Sequence, residues 1–133
     1  SDHSVPGWWI QAASGNALYL FLNAGATYQA DECGGVWGFT SGTLRHVVIT
    51  YDGTSDYTGM VCYVNGSPFA AGNAANTLAS TISNTGNAYM GRESRGSDWL
   101  NGSLDQLIMW DKVLTANNIA DMYNSAAGNV YTP

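Results

Sequence analysis

Short apolar runs, each bounded by clusters of Gly, Asn, Asp and Ser, recur along this chain at the spacing expected of a sandwich or barrel. They predict strands at residues 7–12 (GWWIQA), 17–23 (ALYLFLN), 26–30 (ATYQA), 45–51 (RHVVITY), 60–65 (MVCYVN), 87–92 (NAYMGR) and 103–110 (SLDQLIMW). No helical periodicity appears before position 115, so the pattern up to there is all-β. The turn residues agree: Asp52-Gly53 follows one expected strand and Asn65-Gly66 closes another. Asn, Asp and Gly tolerate the positive φ that tight hairpins require, so Asn65-Gly66 predicts a two-residue turn into residues 67–70. Residues 70–87 are poor in large side chains and read as a loop with one weak strand near 78–82.

In several runs both alternating faces are apolar. Leu18, Leu20 and Leu22 alternate with Tyr19 and Phe21, and Arg45, Val47, Ile49 and Tyr51 alternate with His46, Val48 and Thr50. A single open sheet would leave one face wet and polar, so two packed sheets are predicted. Trp8, Trp9 and Trp110 fall in expected strands, and at least two of them are assigned to the core. One helix is expected after Thr115, its N-cap, with Leu114 and Ile119 at the positions of a hydrophobic staple. Asn118 stands where a full capping box has Glu or Gln, which leaves the box incomplete. Ile119, Met122 and Tyr123 share one face and Gly128 ends the segment, so the helix should lie on the sandwich as a plug.

Composition narrows the class. With 133 residues, 45% hydrophobic and 11% charged, the chain is globular and reads as one domain over residues 1–133. Its polar surface comes mainly from Ser, Thr, Asn, Gln and Gly, a composition that suits a secreted or virion-type β protein better than a cytosolic enzyme. The net charge is −6, and four basic residues, Arg45, Arg92, Arg95 and Lys112, do not make the cationic stripe a phosphate backbone needs. Nucleic acid is thereby excluded as the expected partner. No apolar run approaches the roughly 18 residues that span a bilayer, so membrane insertion is not expected. No leader opens the chain, so an export signal would lie outside it. Cys33 and Cys62 are too few for a disulfide framework and form no CxxC pair. Cys62 reads either as a small buried hydrophobe or as one end of a Cys33 to Cys62 bridge, which would indicate an oxidising compartment.

Taken in order, LRHVVITYDGTSDYTGMVCYVNGSPF, AYMGRES and LNGSLDQLIMWDKVLTANNIADMYN resemble the concanavalin A-like, laminin-G-like sandwich family. The shared pattern is a strand ending in Tyr-Asp-Gly and a strand ending in Tyr-Val-Asn-Gly. A short strand ending in a Gly-containing turn follows, then Gly-x-Leu-Asp, an apolar strand and a Leu-Thr-capped helix ending in Tyr. The match is dense over residues 44–124. The resemblance implies a two-sheet antiparallel jelly-roll sandwich with one short C-terminal helix. Family members usually carry further strands before a segment like PGWWIQ, and this chain starts almost on it. That departure is compatible with a fragment, a pared-down variant, or a partner or second copy supplying the missing strands by edge pairing.

Glycanases of the same sandwich place paired carboxylates as Glu-x-Asp-x-Glu on one strand face. The two Glu residues here, Glu32 and Glu93, lie in no such pattern, and neither His3 nor His46 belongs to a nucleophile signature, so the expectation is no enzyme. The resemblance implies that Asp105 supports a calcium ion, its usual partner carboxylate coming from the N-terminal strands. The alternative for Asp105 is a structural carboxylate accepting hydrogen bonds from loop amides at the sheet end. For glycan binding, an aromatic face must meet the apolar side of a sugar ring while polar groups bond its hydroxyls. The candidates are Tyr28, Trp37, Tyr57 beside Asp56, and Trp99 beside Asp98 with Arg92 close in sequence. Asn65-Gly66-Ser67 and Asn101-Gly102-Ser103 match the glycosylation acceptor, but turn chemistry accounts for both. The expected function is a non-catalytic carbohydrate-binding or adhesion module of a larger extracellular, cell-surface or virion protein. The alternative is a module that decorates a fibre, capsid or surface assembly and binds protein surfaces.

Overall fold

The computed structural model describes residues 6–13, 17–32, 43–69, 72–92 and 99–124. Seven strands and one α-helix are present among them: β1 (Gly7–Ala13), β2 (Ala17–Asn23), β3 (Tyr28–Glu32), β4 (Val47–Tyr51), β5 (Met60–Val64), β6 (Ser67–Phe69), β7 (Gly72–Asn76) and α1 (Ala116–Tyr123). A single 3-10 turn, Tyr57–Gly59, precedes β5. Every strand pairing is antiparallel, giving a four-stranded sheet in the order β1-β2-β3-β7 and a three-stranded sheet in the order β4-β5-β6.

The double-apolar alternation has a direct structural cause. In β2, Leu18, Leu20 and Leu22 point at the second sheet and pack against Val47, Ile49, Met60, Cys62 and Val64. Tyr19 and Phe21 lie on the opposite face, where Phe21 stacks on Trp9 of β1 with ring centroids 4.6 Å apart. The second sheet is covered on both sides. Its far face carries Val48, Val61 and Tyr63, which pack with Trp110, Leu114, Ile119 and Met122. The order of layers is therefore sheet, sheet, helix, and each fully buried Leu or Ile contributes about 1.5–3 kcal/mol.

The helix forms where the sequence placed it. Thr115 Oγ1 accepts from the Asn118 backbone N–H at 3.2 Å, and the Thr115 N–H donates back to Asn118 Oδ1 at 3.3 Å. Asn118 thus completes the capping box that its side chain was expected to leave open; a short amide supplies the same acceptor oxygen as Glu or Gln. The helix stops at Asn124, which takes the left-handed conformation at φ 40°. Gly128, the expected stop, lies outside the described residues.

Several expected elements moved. The third strand starts at Tyr28 and not at residue 26, because Ala24 N–H donates to Thr27 carbonyl at 2.8 Å and turns the chain there. The weak strand expected near 78–82 is coil, and its Leu78 and Ile82 pack on the core. The strand in that region is β7, made of small and polar residues, because the free edge of β3 needs only a backbone ladder from it. No strand forms at 87–92; an isolated bridge joins Arg92 to Trp99. Nor does one form at 103–110, which is coil, exposed as far as the half-buried Trp110, with Gln106 at φ 50°, a value outside strand geometry. The two strand-borne tryptophans are not core residues either. Trp9 faces away from the second sheet, and Trp8 is 43% exposed at the β1 edge, because no β1 side chain joins the inter-sheet clusters among the described residues.

Ile119 has no exposed surface and joins helix to sheet. Ile119→Ala is expected to cost about 2–5 kcal/mol, and Thr115→Ala about 1 kcal/mol, in urea denaturation under non-reducing conditions. A loss below about 1 kcal/mol at Ile119 would show that the helix does not close the far face.

Candidate functional site

The strand ends and loops hold the predicted site residues in two separate groups. The first is a corner built by loop 52–59, between β4 and β5. Asp52 Oδ1 accepts from the Thr54 N–H at 2.9 Å and its hydroxyl at 2.7 Å. Asp56 Oδ1 repeats the arrangement with the Thr58 N–H at 2.8 Å and hydroxyl at 2.7 Å. These Asp-x-Thr units are local turns in which a short carboxylate replaces a backbone acceptor. Asn76, at the end of β7, then ties the loop to the sheet: the Tyr57 N–H donates to its Oδ1 at 3.2 Å, and its amide donates to Asp56 Oδ2 at 3.4 Å. The neighbouring Thr77 hydroxyl donates to the Tyr28 carbonyl at 2.7 Å. Tyr28, Asp56 and Tyr57 are thereby brought together through Asn76 and Thr77. Both Asp56 carboxylate oxygens are engaged within this network, so its charge organises the corner.

The second group lies around Gly91, whose φ of +71° folds the chain back in a conformation that side chains rarely adopt. The Arg92 guanidinium carbon sits 4.3 Å from the Tyr89 ring centroid and 5.9 Å from that of Trp99. The Arg92–Trp99 bridge and a hydrogen bond from the Leu100 N–H to the Gly91 carbonyl at 2.8 Å hold the two segments side by side. Trp99 is 68% exposed and Tyr89 42% exposed, so the rings present open surface while the cation lies against them. Arg92 donates no hydrogen bond and forms no ion pair among the described residues. Tyr89 was not among the sequence candidates, since it fell in an expected strand; its position three residues before an arginine, across a glycine, is the signal that marks it.

Of the other predicted residues, Trp37 and Asp98 lie outside the described residues, as do Cys33, Glu93 and Arg95. Asp105 is exposed in coil, not held in a strand, and accepts no hydrogen bond from any described residue. No group of three or more His, Cys, Asp or Glu side chains is assembled among the described residues. His46 is packed, stacking on Tyr123 at 5.8 Å, and burial pushes its imidazole below the ordinary histidine range. Its Nδ1 finds no hydrogen-bond partner among the described residues. Cys62 is fully buried and disulfide-bonded, and Cys33 is the one other cysteine in the sequence. Among the described residues no helix is long and apolar enough to cross a membrane.

The hydrogen bonds from Thr58, backbone first and then hydroxyl, hold the Asp56 carboxyl below its ordinary value against a smaller opposing effect of burial. Bonding favours the charged form, so its stabilisation is complete above the unfolded aspartate value and is lost as pH falls through the lower folded value. Melting temperature is therefore expected to fall more steeply on acidification in the wild type than in Asp56→Asn. Parallel curves for the two proteins across that window would refute the assignment.

The Laminin_G_3 family model, of the concanavalin A-like lectin/glucanases superfamily, matches residues 1–120. No curated protein matches the chain. Among solved structures it is similar to residues 221–444 of an S-layer domain-containing protein from Clostridium thermocellum ATCC 27405, at 20% identity and a TM-score of 0.49. That alignment covers 92% of this chain and 59% of the other, so the present chain spans little more than half of that protein's solved length. The antiparallel sheets, the capped closing helix and a family match covering most of the sequence have one reading: this chain belongs to the Laminin_G_3 family of the concanavalin A-like lectin/glucanases superfamily.

Proposed function

We propose that this chain is a non-catalytic carbohydrate-binding or adhesion module of a larger secreted, surface or virion protein. The observation that carries the reading is Trp99, a large aromatic ring left 68% exposed and held in place by a backbone bridge and by Arg92. A sugar ring stacks its apolar face on such a surface, while neighbouring donors bond its hydroxyls. Tyr28 and Tyr57, half-buried at the loop 52–59 corner, form a second candidate patch, and Trp37 and Asp98 remain candidates from the sequence. The family is shared by lectins and glucanases, and the absence of a Glu-x-Asp-x-Glu pattern from the sequence supports the lectin side. The disulfide at Cys62 supports an oxidising, extracellular setting.

One observation favours a second reading, an assembly module that binds protein. Leu104, Leu107 and Met109 are 64%, 60% and 69% exposed in a single short coil. Contiguous apolar exposure of this kind marks interaction surfaces.

A glycan array probed with the wild type, Trp37→Ala and Trp99→Ala separates the two. Binding by the wild type that falls at least about fivefold in Trp99→Ala is the expected outcome, since stacking on an aromatic ring is worth about 1 kcal/mol or more. No glycan binding together with a defined oligomer would replace it with the assembly role.

A further inference from the structure

We infer that the Tyr89–Arg92–Trp99 cluster selects a saccharide bearing a single acidic group on an otherwise neutral glycan; the inference rests on the carbohydrate-binding reading above. A guanidinium has five N–H donors in a plane, and its usual fate on a protein surface is to bond carboxylates or carbonyls. Arg92 does neither among the described residues. Its guanidinium carbon instead lies 4.3 Å from the Tyr89 ring centroid and 5.9 Å from that of Trp99. Ring contacts use the face of the guanidinium and leave the N–H groups at its edge available. The two rings also fix the side chain, so part of the ordering cost of binding is met before the ligand arrives.

The chain has only four basic residues, against ten acidic ones. A cation lying against two exposed rings with no acid partner among the described residues is therefore a local exception to the charge of the surface. An edge-on guanidinium fits one carboxylate or one sulfate through two parallel hydrogen bonds. Trp99, open on its own surface, stacks the sugar ring that carries the acid.

The net charge of −6 sets the other half of the specificity. A densely charged polyanion meets repulsion from the whole molecule as well as attraction from one arginine. An isolated acidic group makes the short-range pair without bringing further negative charges up to the surface. The site should accordingly prefer a terminal sialic or uronic acid, or one sulfate ester, over polymers such as heparin.

The experiment uses the full chain with its disulfide intact. Binding of 6′-sialyllactose, 3′-sulfolactose, lactose and heparin is measured by calorimetry, alongside an array of neutral glycans. The sialylated and sulfated trials separate carboxylate from sulfate as the acidic group. The wild type is expected to bind at least one mono-acidic lactose about tenfold more tightly than lactose, as one charge-assisted hydrogen bond allows. Arg92→Gln should abolish that preference while leaving the melting temperature unchanged, Arg92→Lys should retain part of it, and Trp99→Ala should weaken acidic and neutral ligands alike. A preference that survives Arg92→Gln overturns the inference, as does heparin binding more tightly than both mono-acidic ligands. Binding to neutral glycans with no acidic preference overturns the inference and leaves the carbohydrate-binding reading standing. No binding to any saccharide overturns both.

Discussion

The structure depends on one strand being buried on both faces. β5 is bonded on either side by β4 and β6, and it directs Met60 and Cys62 toward the first sheet while Val61 and Tyr63 face the helix. Both layers of core meet in its five residues, so neither the sandwich nor the helix can settle until that strand is placed. Its two ends then position the rest. Loop 52–59 enters at Met60, where the cap N–H donates to the Tyr57 carbonyl. The strand leaves through Asn65 and Gly66, whose φ values of 50° and 77° make the tight turn. Asn65 also extends the ladder, donating to the His46 carbonyl at 2.8 Å and accepting the His46 N–H at 3.1 Å.

The two candidate patches differ in how they are fastened to that core. The Tyr28–Tyr57 corner is bonded into β3 and β7 by side chains of Asn76 and Thr77, and its polar groups are occupied with one another. The Tyr89–Trp99 patch lies on coil, held by a single bridge, one backbone hydrogen bond and the arginine between the rings. The second patch is thus tied to the rest of the described structure by fewer bonds than the first and leaves more aromatic surface open.

The sheets were legible because their residues carry the information locally. Leu18, Leu20 and Leu22 declare one face and Tyr19 and Phe21 the other, and Asn65-Gly66 declares its turn. The helix was legible from Thr115 and Ile119. What was not legible depended on a neighbour. β7 has little apolar pattern of its own and exists because β3 offers an edge, whereas residues 103–110 have a strong strand pattern and yet pair with no strand among the described residues. The same limit applied to the site. Arg92 and Trp99 stood out as residue types, but Tyr89 became part of their group only when Gly91 turned the chain. The tryptophans of β1 misled because size suggests burial, whereas Trp8 on the edge strand of its sheet is left 43% exposed.

The order of strands has a consequence for how this topology is reached. β1, β2 and β3 form one meander and β4, β5 and β6 another, so these pairings close only short stretches of chain. The β3–β7 ladder is different, joining Glu32 to Gly72 and Gln29 to Asn76 across both intervening sequence and the entire second sheet. Loop-closure entropy grows slowly with length but is fully charged before any of the long-range contacts repay it. Strand pairing thus consists of two local meanders and one distant ladder, and the Tyr28–Tyr57 corner depends on that ladder because Asn76 and Thr77 lie at the end of β7.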